Sequence, residues 1–156
     1  MQKLPSSHSP RAVRGPNAVE FIRILKLHAS SNPSVNAFSA YGDGYVDVNG
    51  VRFSHSVVVL PEHDVLAWQV ARFADLSAAS FDFIAGLAPE IVVFGSGARL
   101  RFPHPRLLAS LSSRGIGVET MDVHAACRTY NILVAEGRKV AAALLIEAAN
   151  DPLPSP

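Results

Sequence analysis

The second half of the sequence alternates regularly between short apolar runs and longer segments with helical spacing. Three runs, IVVF at 91–94, GVETM at 117–121 and VAAALLI at 140–146, have the length and apolar content of buried strands. The segments between them, from about 105 to 113 and from 123 to 135, predict helices. Strands joined through helices pair in parallel, so this pattern predicts two βαβ units and three parallel strands.

Residues that favour helix ends stand at the predicted boundaries. Pro105 suits a first helical turn, and Asp122 suits the N-cap of the next helix. Gly115 and Gly137 follow the two helices directly, where glycine is favoured because it can adopt the left-handed backbone conformation. The boundaries of both helices are therefore well defined.

The first half contains a hairpin signal. Asn49 and Gly50 separate the alternating runs YVDV at 45–48 and VRFSH at 51–55. Asn-Gly favours a type I′ turn because both positions tolerate positive φ. We therefore expect a two-residue β-hairpin whose strands extend the parallel strands into a mixed sheet.

Other elements are predicted with simpler signals. Apolar runs predict strands at 24–28, 56–60 and 65–70, and Ser77 is the expected N-cap of a helix that ends near Leu87. A chain of 156 residues corresponds to one domain. The predicted organisation is a single α/β domain at 24–148, preceded by a flexible extension at 1–23 and followed by a loose tail at 149–156.

Composition excludes several classes of protein. The 14 basic and 13 acidic residues give a formal net charge of +1, which argues against a nucleic-acid-binding surface. Cys127 is the single cysteine, so an intrachain disulfide and a cysteine-cluster zinc site are excluded. The six histidines show no metal-ligand spacing, and no apolar run is long enough for a transmembrane helix. We expect a soluble protein without metal or cofactor.

The N-terminal extension has two interpretations. It is poor in acidic residues and contains arginine and serine, as organellar transit peptides do. Pro5, Pro10 and Pro16 would interrupt the amphipathic helix of such a peptide. We therefore favour a bacterial cytoplasmic protein with a flexible or misassigned start, with the mitochondrial matrix as the alternative.

The turn Gly95-Ser96-Gly97 follows the predicted strand at 91–94 and resembles a phosphate-binding loop only superficially. Leu100 stands where a dinucleotide motif needs its third glycine, and neither a P-loop nor a nucleophile elbow fits. Two interpretations stay open. Backbone amides of the turn and Arg101 could bind an oxyanion or a carboxylate, or the segment could be a tight turn with solvated arginines.

The segment 122–139 carries a second set of polar residues. On a helix its small apolar side chains face the sheet, and the remaining candidates are Arg128, Thr129, Asn131, Glu136 and Arg138. These could contribute to a site or could simply pair with one another. His124 and Cys127 lie three residues apart, as a base and a thiolate could, but a small buried cysteine is the favoured interpretation.

Three segments resemble one family: AYGDGYVDVNGVRFSHSVVVLP at 40–61, PEIVVFGSGARLRFP at 89–103 and GVETMDVHAACRTYNILVAEGRKVAAALL at 117–145. It is a family of small α/β domains that includes the mitochondrial complex I (NADH:ubiquinone oxidoreductase) assembly factor 3 and an adipogenesis-associated protein. Ser96 departs from it, since threonine is usual at that position. The resemblance implies a three-layer α/β fold with a mixed central sheet and no established catalytic activity.

The resemblance also implies that ten residues of the shared motifs lie around one crevice. Its residues would be Gly95, Ser96, Gly97, Arg101, Asp122, Arg128, Thr129, Asn131, Glu136 and Arg138.

Two functions follow as expectations. The first is a non-enzymatic binding or assembly module, accessory to complex I biogenesis, with complex I subunits or assembly factors as partners. The alternative is a binding protein or enzyme for a small anionic or carboxylate-bearing ligand at the Gly95-Ser96-Gly97 turn. In that alternative Arg101 and Arg128 supply positive charge and Asp122 acts as a base.

Overall fold

A computed structural model describes residues 35–148. Strand β1 (Phe38–Gly42), strand β2 (Tyr45–Val48) and strand β3 (Val51–Phe53) come first in this part of the chain. The predicted strand at 24–28, the extension at 1–23 and the tail at 149–156 lie outside the described residues.

The predicted hairpin is present, with β2 and β3 antiparallel. Asn49 has φ 48° and Gly50 has φ 85°, as a type I′ turn requires. The expectation that its strands extend the central sheet is wrong, because they form a separate three-stranded sheet with β1. In β2 only Val46 and Val48 are buried, so this sheet has a single apolar face and packs onto the core through it.

The central sheet contains five strands: β4 (Val57–Val59), β5 (Leu66–Ala67), β6 (Ile91–Gly95), β7 (Gly117–Met121) and β8 (Val140–Leu144). Their order is β5-β4-β8-β6-β7. β6 pairs in parallel with both β7 and β8, whereas β4 is antiparallel to β8 and to β5. The predicted α/β class, with three parallel strands in a mixed sheet, is confirmed.

Three α-helices connect these strands: α1 (Ala78–Gly86), α2 (Ala109–Ser113) and α3 (Val123–Ala135). The prediction for α3 is confirmed at both ends. The predicted helix at 105–113 begins instead as a 3₁₀ turn over Pro105–Leu108, and a further 3₁₀ turn covers Phe73–Asp75. At the start of α1, the Ser77 amide donates to Ser80 Oγ at 3.1 Å.

The strand predicted at 65–70 is shorter than expected. Only Leu66–Ala67 pairs with β4, and one further bond runs from the Trp68 amide to the Ser56 carbonyl at 2.9 Å. The Val70 amide donates to the Trp68 carbonyl, so the chain no longer pairs with β4 there. Trp68 and Val70 are nevertheless buried. The alternation of apolar and polar residues in this segment therefore reflects burial and not strand pairing.

The central sheet is covered on both faces. Val58, Val92 and Phe94 face a cluster that includes residues of α1 and α2, while Val57 and Val93 face α3 and the small sheet. Successive strand residues point to opposite faces, which explains why β4, β6 and β8 are apolar at nearly every position. The expected three layers are therefore present, with the carboxyl ends of β6 and β7 meeting at one edge.

Candidate functional site

Ser96 holds together the turn that follows β6. Its side chain is fully buried, and its amide donates to the Met121 carbonyl at 2.8 Å. Ser96 Oγ donates to the Arg99 carbonyl at 2.8 Å and accepts the Arg101 amide at 2.8 Å. The hydroxyl therefore joins two points of the same loop and is fully used within the chain.

Arg101 folds back over this turn. Its Nε and Nη2 donate to the Ser96 carbonyl at 3.1 and 2.6 Å, and Nη2 also pairs with Glu147. The guanidinium lies 4.7 Å from the centre of the Phe73 ring. Gly97, at φ 109°, has no room for a side chain because Arg101 and Glu147 occupy that space. The positive charge of Arg101 is thus balanced by the chain's own carboxylate.

The turn and the beginning of α3 are adjacent, as the sequence predicts. The Val123 amide donates to the Gly97 carbonyl at 2.9 Å, and Asp122 Oδ1 accepts the Ala125 amide at 2.9 Å. Asp122 therefore caps α3 and satisfies one of its unpaired amides. A cleft of about 420 Å³ lies beside this junction, lined in part by Tyr45, His124 and Glu147.

The other predicted site residues are directed elsewhere. Arg128 Nη1 donates to Tyr41 Oη at 3.2 Å, and the Asn131 amide group bonds both backbone polar groups of Phe38. Thr129 is half-buried on α3.

Glu136 and Arg138 lie beyond the C-terminal end of α3. Glu136 is exposed, whereas Arg138 pairs with Glu90 at 2.8 Å and lowers the pKa of that carboxyl by hydrogen bonding. Arg138 precedes β8 and Glu90 precedes β6, so this pair lies at the edge of the sheet opposite the Gly95-Ser96-Gly97 turn. The expectation that all ten residues surround one crevice is therefore wrong, because α3 and the sheet separate them.

Cys127 is fully buried against the central sheet, and burial raises the pKa of its thiol to about 12. His124 is directed away from it, with Nε2 3.3 Å from the Gly42 carbonyl and the ring 4.9 Å from that of Tyr41. The interpretation of Cys127 as a small buried side chain is confirmed.

We expect Cys127 to resist iodoacetamide in the native protein at neutral pH, and to react fully in concentrated urea, because only the exposed thiolate is nucleophilic. Mass spectrometry measures the modified fraction. The buried neutral thiol stabilises the fold below its ordinary pKa of 9.0, and this contribution is lost as pH rises from there through about 12. Rapid labelling of the native protein would contradict this burial.

We expect Ser96→Ala to lower the free energy of unfolding by about 1–2 kcal/mol, since the Arg101 amide and the Arg99 carbonyl lose a shared partner. Urea unfolding followed by circular dichroism measures the change. Ser113→Ala is the matched control, because that exposed hydroxyl donates only to the Ser110 carbonyl within its own helical turn. Equal stability of the two variants would show that the Ser96 bonds contribute nothing.

Two features of this region were missed by sequence reasoning. The first is Glu147, which pairs with Arg101 across a sequence separation of 46 residues. The second is the exposure of Leu100 and Phe102, at 52% and 71%. The alternation of Arg99 and Arg101 with Leu100 and Phe102 predicts that the two arginines share one face of an extended segment. In the structure Arg101 bonds inward to the Ser96 carbonyl, whereas Arg99 is exposed.

These observations define a small three-layer α/β domain in which the Ser96 side chain and the Arg101 guanidinium of the strand-end turn are engaged by the chain itself. The chain belongs to the family described as "Protein of unknown function (DUF498/DUF598)", whose model matches residues 38–145.

Relatives with assembly-factor names share this domain. The chain is 38% identical over 125 residues to NADH dehydrogenase (ubiquinone) 1 alpha subcomplex assembly factor 3 of Bos taurus, covering 79% of this chain and 67% of that protein. For the Danio rerio protein of the same name the identity is 35% over 126 residues, with coverage of 80% and 70%.

A solved structure supports the fold. A crystal structure of a Bordetella parapertussis protein superposes with a TM-score of 0.70 at 49% identity, covering 73% of this chain and 98% of that chain. Within residues 35–148, no helix combines the length and apolar character needed to cross a membrane. The same residues contain no cluster of three or more potential metal ligands.

Proposed function

We propose that this domain is a non-enzymatic protein-binding module that acts in the assembly of respiratory complex I. The observation that carries the proposal is the 38% identity to a protein named for complex I assembly, over 125 residues or 79% of this chain. The partners would be subunits or other assembly factors of that complex. For a bacterial chain this activity would take place in the cytoplasm.

The geometry of the turn supports a binding module over a small-molecule site. The Ser96 hydroxyl and carbonyl, the Arg101 guanidinium and the Asp122 carboxylate all have partners within the chain. An incoming anion would have to displace Glu147 from Arg101. No observation favours a small anionic ligand, and Asp122 is engaged as a helix cap.

Two experiments in the host that encodes the chain test this proposal. We expect deletion of the gene to reduce the amount of assembled complex I on native gels. We also expect a tagged copy, cross-linked before extraction, to recover complex I subunits or assembly factors. Expression of the wild-type chain should restore assembly. Normal complex I in the deletion strain, together with no recovery of its subunits, would overturn the proposal.

A substitution at an exposed residue outside the proposed site is the control. Val51→Ser changes an exposed apolar residue of β3, at 57% exposure, and should restore assembly as well as the wild type does. Loss of restoration by this variant would show that the readout follows expression level and not a specific contact.

A further inference from the structure

The loop at 98–106 presents two large apolar side chains to solvent. Phe102 is 71% exposed and Leu100 is 52% exposed, and only one residue separates them. Exposed apolar surface of this kind, rimmed by polar residues, is a feature of protein interaction sites.

This loop is held rigidly from within. Arg101, which lies between the two apolar residues, is bound to the Ser96 carbonyl, to Glu147 and to the face of Phe73. Arg101 is anchored inward, whereas Arg99, Leu100 and Phe102 on either side of it are exposed. A loop that is already ordered loses little conformational entropy on binding.

The charge around the apolar pair is positive. Arg99, His104 and Arg106 are exposed, and the sequence ARLRFPHPR at 98–106 contains no acidic residue. The carboxylate of Glu147 is already paired with Arg101 and so does not neutralise this rim. A complementary surface would combine apolar side chains with carboxylates.

We propose that the loop at 98–106 docks an acidic segment of a partner protein, with Leu100 and Phe102 inserted between its apolar side chains and Arg99 and Arg106 facing its carboxylates. This inference rests on the proposed function and specifies which surface performs it. Anionic lipid has a similar charge. The fixed, alternating presentation of only two apolar side chains favours a shaped protein pocket over insertion into a membrane.

Site-specific photo-cross-linking tests the surface. Benzoylphenylalanine replaces Phe102 in the full chain, and in a control chain it replaces Ile132, a residue of α3 with 59% exposure. We expect position 102, and not position 132, to give cross-linked peptides that are rich in Asp and Glu and contain apolar residues. Adding Arg99→Glu and Arg106→Glu should reduce their yield by about tenfold.

Three results would contradict the proposed docking of an acidic segment. They are cross-linked peptides that are basic or neutral, cross-linked peptides from a second copy of this chain, and cross-links from position 132 alone. If the protein sediments with phosphatidylglycerol vesicles and Phe102→Ser does not, the partner of this surface is lipid and the proposed protein partner is contradicted.

The surface and the proposed function can fail separately. Cross-linked acidic peptides from proteins unrelated to complex I would contradict the assembly role and still support the docking surface. If the double variant Leu100→Ser and Phe102→Ser recovers complex I subunits as well as the wild type does, the docking surface is contradicted and the assembly role is supported. Because both side chains are mostly exposed, this variant should unfold at the same urea concentration as the wild type.

Discussion

Asn131→Ala should lower the free energy of unfolding by about 2–4 kcal/mol, because it leaves two backbone groups without partners. Asn131 Oδ1 accepts the Phe38 amide at 2.8 Å, and its Nδ2 donates to the Phe38 carbonyl at 2.9 Å. The side chain thus pairs with the edge of β1 much as a neighbouring strand would. Phe38 also packs edge-on against the Tyr130 ring, with centroids 5.0 Å apart, so the same helix fixes β1 twice.

Urea unfolding and amide hydrogen exchange together measure this effect. Exchange at Phe38 should accelerate strongly, while exchange in β6 should follow only the global change in stability. Ile132→Ala is the matched control, because that neighbouring side chain is 59% exposed and alanine favours the helix. If Asn131→Ala and Ile132→Ala are equally stable, the bonds to Phe38 do not hold the small sheet in place.

Gly95→Ala should lower the free energy of unfolding by about 2–3 kcal/mol through overpacking. A Cβ at this position would lie 2.8 Å from Leu144 Cδ2, 3.2 Å from Ala126 Cβ and 3.2 Å from Val123 Cα. Leu144 is fully buried, and the other two atoms belong to α3, so relief requires the helix to move away from the sheet. Gly95 is therefore required for close contact between the sheet and α3.

Gly117→Ala provides the comparison for Gly95→Ala. Gly117 also lies in a strand of the central sheet, but a Cβ there meets nothing within 4 Å. We expect Gly117→Ala to be neutral or to stabilise the protein by up to about 1 kcal/mol, since alanine restricts the unfolded chain. A Gly95→Ala protein that unfolds at the same urea concentration as Gly117→Ala would contradict the close approach of α3.

Elements determined by local signals in the sequence are predicted well. Asn49 and Gly50 identify the hairpin because few other pairs tolerate two consecutive positive φ values. Asp122 and Gly137 mark both ends of α3, since one accepts a helix amide and the other adopts φ 77° just beyond the helix. In each case a residue's own conformational preference decides the structure.

Pairing between distant segments is harder to predict. Strand β1 was missed, although Asp43 and Gly44 before Tyr45 form a second hairpin signal of the same kind. Membership of β2 and β3 in a separate sheet depends on which face of each sheet the core covers. That choice is made by packing, which periodicity alone does not specify.

In the candidate site, too, local contacts are predicted from the sequence and long-range contacts are not. The contact of Gly97 with Val123 follows from the parallel order of β6 and β7, because both segments begin at the same edge of the sheet. The pairing of Arg101 with Glu147 and of Arg138 with Glu90 joins residues far apart in sequence. Shared motifs grouped these arginines in one crevice, whereas the fold places them at opposite edges.

Strand β8, the last strand of the described part of the chain, occupies the middle of the central sheet, between β4 and β6. During synthesis on the ribosome, β4 and β6 therefore remain unpaired along one edge until β8, which follows them in the chain, has emerged. Until Val140–Leu144 arrives, both carry unpaired backbone groups that could bind a chaperone or a neighbouring nascent chain. A protein built this way completes its central sheet by inserting β8 between strands that are already present, so stable pairing of β4 and β6 should follow the synthesis of Val140–Leu144.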